Sequence, residues 1–232
     1  VYNNDDSILE KVLSPFLYKK QPFSTKSTDV LYNIDNKNII GPSDDKILET
    51  DELGIPGEHN LQNFLAASTC SYLIGITQKQ IVKSLKEFKG VEHRLERVRT
   101  INKVEFINDS KATNIDSVIV AINTYSKPII LILGGLNKGA NFRLLLPHIK
   151  SSHVRDIVSY GDAGGQISAA LGDAVRSVQV TDLSSAVKKA QSMAAPGDVV
   201  LLSPGCASYD EFSNFEERGN HFKSIIKSLA IS

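Results

Sequence analysis

Aspartate, lysine and threonine crowd into one short stretch, "VEFINDSKATN" at residues 104–114. An alternating apolar run, the pattern of a strand, gives way abruptly to small and polar residues. Asp109, Lys111 and Thr113 follow at two-residue spacing, which lets alternate side chains of a loop reach one cleft. An ammonium and a hydroxyl suit a carboxylate, through charge-assisted hydrogen bonds. Asp109 would repel such a ligand; its natural partners are hydroxyls, such as those of a ribose, or a cation. Lys138 in "LGGLNKGANF" and Ser208 in "LSPGCASYDEF" stand in the same context, a small-residue loop after an apolar run. Taken singly, each lysine is an ordinary solvated side chain. Taken together with Thr113 and Ser208, the two would make a carboxylate pocket. Arg94, in "EHRLE", is either a solvated strand residue or a nucleotide contact. Asn60 and Asn63 lie about a helical turn apart, as caps or as readers of a base edge. His59 and His93 lack metal-ligand spacing and read as structural.

The glycine clusters nearby fail two phosphate tests. Gly134 and Gly139 have the spacing of GxxxxGK[ST], but Ala140 and Asn141 follow, and Lys138 precedes the second glycine. In "GDAGG", Ala163 occupies the second glycine position of GxGxxG. Neither a P-loop nor a dinucleotide fingerprint is present there. The plainer reading is a set of strand-to-helix turns that need positive φ.

Positioning these residues requires strands that end at one edge. From about residue 91 the pattern alternates strand and helix. "HRLERVRTINKVEFIN" reads as two strands with Asn102 and Lys103 at the turn, and a helix begins near 114. "KPIILILGG" is continuously apolar, as in a parallel sheet covered on both faces. "RDIVSYG" and "GDVVLLSPG" are further strands, with helical "GQISAALG" and "DLSSAVKKAQSMAA" between them. A last helix, about 214–229, is expected to be capped by Ser213 with Glu216. The whole predicts an open, mostly parallel α/β sheet with helices on its faces, whose ligands bind beyond the carboxyl ends of the strands.

Ahead of it, Leu61, Phe64, Leu65, Ser68 and Tyr72 form one helical stripe. Thr77 and Gln80 form a capping box for a second helix. Residues 1–57 are irregular apart from a strand–turn–strand in "DVLYNIDNKNIIG", too polar for a core of their own. They suit the tail of a larger domain.

Lys plus Arg equals Asp plus Glu, 26 of each, so charge gives no hint of a nucleic-acid or membrane-surface partner. No apolar run approaches the roughly 20 residues of a membrane span. The cysteines, Cys70 and Cys206, form no CxxC pair and read as small fillers in a reduced setting.

In order along the chain, "GEHNLQNFLAA", "EHRLE", "NDSKATN", "GGLNKGANF" and "LLSPGCASYDEFSNFEERGNHF" resemble the signatures of the Mur ligases. Within them the resemblance is to the branch that adds D-glutamate to UDP-N-acetylmuramoyl-L-alanine. It implies residues 1–91 as the end of a central ATP-binding domain and 92–232 as a Rossmann-like C-terminal domain. It also implies ATP and Mg2+, amide formation through an acyl phosphate in peptidoglycan precursor synthesis, a bacterial cytoplasmic setting and a monomer. By resemblance Asn60 and Asn63 contact adenine, and Arg94 and Asp109 the nucleotide, Asp109 at its ribose. Lys111, Thr113, Lys138 and Ser208 hold D-glutamate with Phe215 lining the site, and Lys111 and Lys138 count as catalytic. A swing of the C-terminal domain about Gly90 is expected. The family's P-loop, magnesium ligands, carbamylated lysine and UDP-binding domain belong upstream of "HNLQNFLAA" and are absent, so these residues alone should not ligate. Alternatives are a sister amide ligase, such as a folylpolyglutamate synthase, or a non-catalytic domain that kept the fold.

Overall fold

The structure, a computed structural model, describes residues 1–55 and 57–229, and the side chains of all of these except 58 and 59. The reading of His59 therefore lies outside the described side chains. The chain divides into two compact units, Val1–Gly90 and Val91–Ser232.

In the first unit, β1 (Tyr2–Asn3) and helix α1 (Ser7–Leu13) precede β2 (Pro22–Phe23), which pairs in parallel with β1. A small antiparallel sheet follows, of β3 (Asn33–Asp35), β4 (Asn38–Ile40) and β5 (Lys46–Glu49). Asn36 and Lys37, both at positive φ, make the tight β3–β4 turn that the Asp/Asn cluster predicts. Helices α2 (Glu58–Leu73) and α3 (Gln78–Glu87) complete the unit, and Thr77 caps α3 in a box with Gln80. The polar leader does share in a core: Phe23, Tyr32, Ile39 and Leu48 pack with Phe64, Leu65, Ile81 and Leu85 of the helices.

The second unit is a six-stranded sheet. β6 (Glu96–Ile101) and β7 (Val104–Asn108) form a hairpin through Asn102 and Lys103, both at positive φ. Then come α4 (Ile115–Asn123), β8 (Ile129–Gly134), α5 (Leu146–Ser151), β9 (Val154–Tyr160), α6 (Gly164–Leu171), β10 (Arg176–Gln179), α7 (Leu183–Met193), β11 (Val199–Gly205) and α8 (Phe215–Ser228). The strand order is β10-β9-β8-β11-β7-β6, parallel except for β6.

Strand periodicity explains the two-sided core. Ile129, Leu131 and Leu133 of β8 face one apolar cluster with α4 and α6, while Ile130 and Ile132 face the other with α7 and α8. Val199 and Leu201 of β11 likewise oppose Val200 and Leu202. Both faces are covered, so the central strands carry no polar alternation.

Three expectations need correction. β10 and α5 were not foreseen: β10 is a short edge strand with exposed Arg176 and Gln179, so it lacks the buried-strand signature. The cap of α8 is Asn214, whose side chain accepts from the Glu217 amide at 2.7 Å, while Glu217 accepts from the Ser213 amide. Cys70 is exposed and fills nothing, whereas Cys206 is buried and its thiol pushed up to about 12 by that burial.

Candidate functional site

β8 leads to β9 on one side of it, whereas β11 leads to α8, which packs on β6 and β7 on the other. The chain thus departs in opposite directions at the β8–β11 pair, and that is where open α/β sheets leave a crevice beyond the strand ends. The loops after β7, β8 and β11 all emerge at this edge.

Backbone bonds fasten these loops together. Leu136 and Ala207 exchange two amide–carbonyl bonds, at 2.9 and 3.1 Å, joining the loops after β8 and β11. The Gly205 amide donates to the Ala112 carbonyl at 2.8 Å, joining the β11 end to the loop after β7. Lys138 and Ser208 therefore flank the first junction, and Lys111 and Thr113 flank the second. Gly135 is required at the first: its φ is +118°, and a Cβ there would lie 2.3 Å from the Ala207 carbonyl oxygen.

Lys111, Thr113 and Lys138 are exposed, Ser208 is buried and Phe215 is half-buried. The Lys111 ammonium lies 4.7 Å from the centre of the Phe215 ring, and the Lys138 ammonium 4.6 Å from that of Tyr209. Among the described residues neither lysine pairs with a carboxylate. Their charge is held in place without being neutralised, as an anion site requires.

Asp109 faces inward. Its carboxylate accepts from the Ser203 hydroxyl at 2.8 Å and from the Leu95 amide at 3.2 Å. Burial raises its pKa to about 7, against the lowering effect of those two bonds and of the nearby Arg94 charge. Arg94 is exposed, and its charge acts on Asp109, so the structure brings these two residues together. Asn60, buried, and Asn63, exposed, are on α2 in the first unit.

Arg218 was missed as a site residue. It is fully buried, yet among the described residues its guanidinium bonds only to neutral oxygens: Ser110 Oγ at 2.9 Å, the Ser110 carbonyl at 2.8 Å and the Cys206 carbonyl at 3.1 Å. One side chain thereby ties the residue beside Lys111 to the start of the Ser208 loop. A signal was available, since Arg218 falls on the α8 stripe of Phe222 and Ile226, where an apolar residue belongs.

Beside this lies a second polar cluster. Asn108 Nδ2 is 3.0 Å from both His93 Nδ1 and Glu96 Oε2, and His93 packs edge-on to Phe215. Glu92, His93 and Glu96 could face one ion. Lys223, however, bonds to both Glu92 and Glu96, at 3.0 Å to the latter, and supplies the positive charge there. This cluster does not fit Mg2+, which demands oxygen ligands free of a competing ammonium. His93 is buried, between Asn108 and the Phe215 ring. No Gly-Lys dipeptide occurs in the chain, so it carries no P-loop to cradle ATP phosphates.

A separate concavity of about 610 Å3 opens at the ends of β9 and β10, lined by Gly161, Gln179, Thr181 and the acids Asp162, Asp210 and Glu211. Its sign is opposite to that of the two lysines, and it would repel a carboxylate.

Residues 93–206 match the family model of the Mur ligase, glutamate ligase domain. The UDP-N-acetylmuramoylalanine–D-glutamate ligase of Clostridioides difficile strain 630 is 41% identical over 234 residues, 99% of this chain and 52% of that protein. That of Natranaerobius thermophilus is 44% identical over 218 residues, 91% and 47% respectively. The chain spans about half the length of the curated relatives it matches. The fold also superimposes on a UDP-N-acetylmuramoylalanyl-D-glutamyl-2,6-diaminopimelate–D-alanyl-D-alanyl ligase from Acinetobacter baumannii. The TM-score is 0.69 at 14% identity, over 97% of this chain and 50% of that one.

Proposed function

We propose, from the match of residues 93–206 to the Mur ligase family, that the chain is part of an ATP-dependent ligase joining D-glutamate to UDP-N-acetylmuramoyl-L-alanine. One observation carries the reading. Two ammonium groups with no carboxylate partner among the described residues, Lys111 and Lys138, stand beyond the strand ends on loops that are each bonded to the loop after β11. D-Glutamate offers two carboxylates, and Thr113 and Ser208 add hydroxyls beside the charges. Phe215 walls the pocket and backs Lys111.

The chemistry asked of this chain is placement and charge compensation. Holding both carboxylates fixes where the amine of D-glutamate points, which lowers the entropic barrier to its attack. The same two cations counter negative charge that gathers when a carboxylate is activated and attacked. ATP would supply the phosphoryl group that activates the acceptor. Arg94 and Asp109 would serve its nucleotide side, with Asn60 and Asn63 at the adenine. Mg2+ ligands and a phosphate loop belong to polypeptide other than these 232 residues, which alone should show no ligation. Among the described residues no helix is long and apolar enough to cross a membrane, and the proposed setting is the bacterial cytoplasm, as a monomer.

Calorimetric titration of the chain with D-glutamate, L-glutamate, L-alanine, L-lysine and diaminopimelate tests the substrate. The expected order places D-glutamate first, weakened by Lys111→Ala and by Lys138→Ala. Preference for L-lysine or diaminopimelate would move the chain to a sister ligase.

A further inference from the structure

Tyr209 has no place in the reading above, yet the residue is 59% exposed on the loop that carries Ser208. A large aromatic side chain left in water next to an anion site needs a reason. Lys138 supplies one, with its ammonium 4.6 Å from the ring centre. The two acids that follow Tyr209 are turned elsewhere. Asp210 faces the Asp162 amide at 3.4 Å, and Glu211 receives the Leu183 amide at the start of α7, at 3.2 and 3.3 Å.

We propose that Tyr209 is a positioning residue that pre-orients the Lys138 ammonium for a ligand carboxylate through the face of its ring. A carboxylate in the same place would hold the lysine equally well but would neutralise it. A ring face attracts the cation through its quadrupole and leaves the N–H donors available. The need is local: Lys138 precedes Gly139, at φ +93°, in an exposed loop where a four-carbon stem is otherwise free. Phe215 does the same for Lys111, so both cations of the site rest on aromatic rings from the β11–α8 segment. This inference rests on the carboxylate-binding reading of Lys138.

The test uses the 232-residue chain with 13C-labelled lysine, Tyr209→Phe, Tyr209→Leu and Lys138→Gln variants, and D-glutamate as probe. The Lys138 Hε signals should be shifted upfield by the ring in the parent and Tyr209→Phe, and revert in Tyr209→Leu, which keeps bulk but has no π face. D-Glutamate should bind about two- to fivefold more weakly to Tyr209→Leu and unchanged to Tyr209→Phe, the range an exposed cation–π contact allows. Unshifted Lys138 signals in the parent, or equal affinity of Tyr209→Leu with Lys138→Gln impaired, would overturn the pairing alone. Undiminished D-glutamate affinity in Lys138→Gln would instead overturn the reading beneath it.

Discussion

A buried carboxyl that titrates near neutrality makes the residue scale measurable. Asp109 holds its proton in the folded chain up to about pH 7 because burial opposes its charge, whereas the unfolded chain loses it near the ordinary aspartate value of 3.8. Between those values the folded state binds more protons, so stability falls as pH rises from about 4 to 7 and levels off above. Asp109→Asn, which can keep both partners, should remove that decline; urea titrations at several pH values would show it. Arg218 gives a second prediction. Arg218→Lys preserves the charge but cannot span Ser110 and Cys206 at once, which strands buried carbonyls. A loss of about 1–3 kcal/mol is expected, by the cost of an unpaired buried group, again measured in urea. A neutral result would mean that the guanidinium does not tie the loops.

At the scale of elements, the cap of α8 separates the structure from the sequence pattern. Asn214→Ala should cost about 1 kcal/mol in thermal or urea unfolding, and Ser213→Ala distinctly less. Gly135→Ala should be costlier still, since its Cβ meets the Ala207 carbonyl and breaks the Leu136–Ala207 bridge. It should weaken D-glutamate binding as well, because Lys138 and Ser208 flank that bridge. The central strands and hairpin were legible because continuous apolar runs and an Asn-Lys turn leave few alternatives. β10 was not legible, because a four-residue edge strand buries too little to pattern its sequence. The cap was misread because Ser213 and Asn214 are adjacent and both suited, and only φ/ψ decides between them. The lysines of the site could be found by their loops, but Arg218 could not be given a role without the fold, because its partners are backbone carbonyls and a serine more than a hundred residues away.

For the molecule as a whole, one sheet edge gathers opposite charges into separate places. The junction of β7, β8 and β11 presents Lys111 and Lys138 with neutral hydroxyls, while the β9–β10 end presents Asp162, Asp210 and Glu211. In the proposed function the first of these binds the carboxylates of D-glutamate and the second does not. An amide-resolved NMR titration of the 15N-labelled chain with D-glutamate tests this most directly. Shifts should concentrate at Lys111, Thr113, Lys138 and Ser208 and fade in Lys138→Gln. Shifts confined to Gly161–Thr181 and Asp210–Glu211, or none at the two lysine loops at saturating D-glutamate, would contradict it.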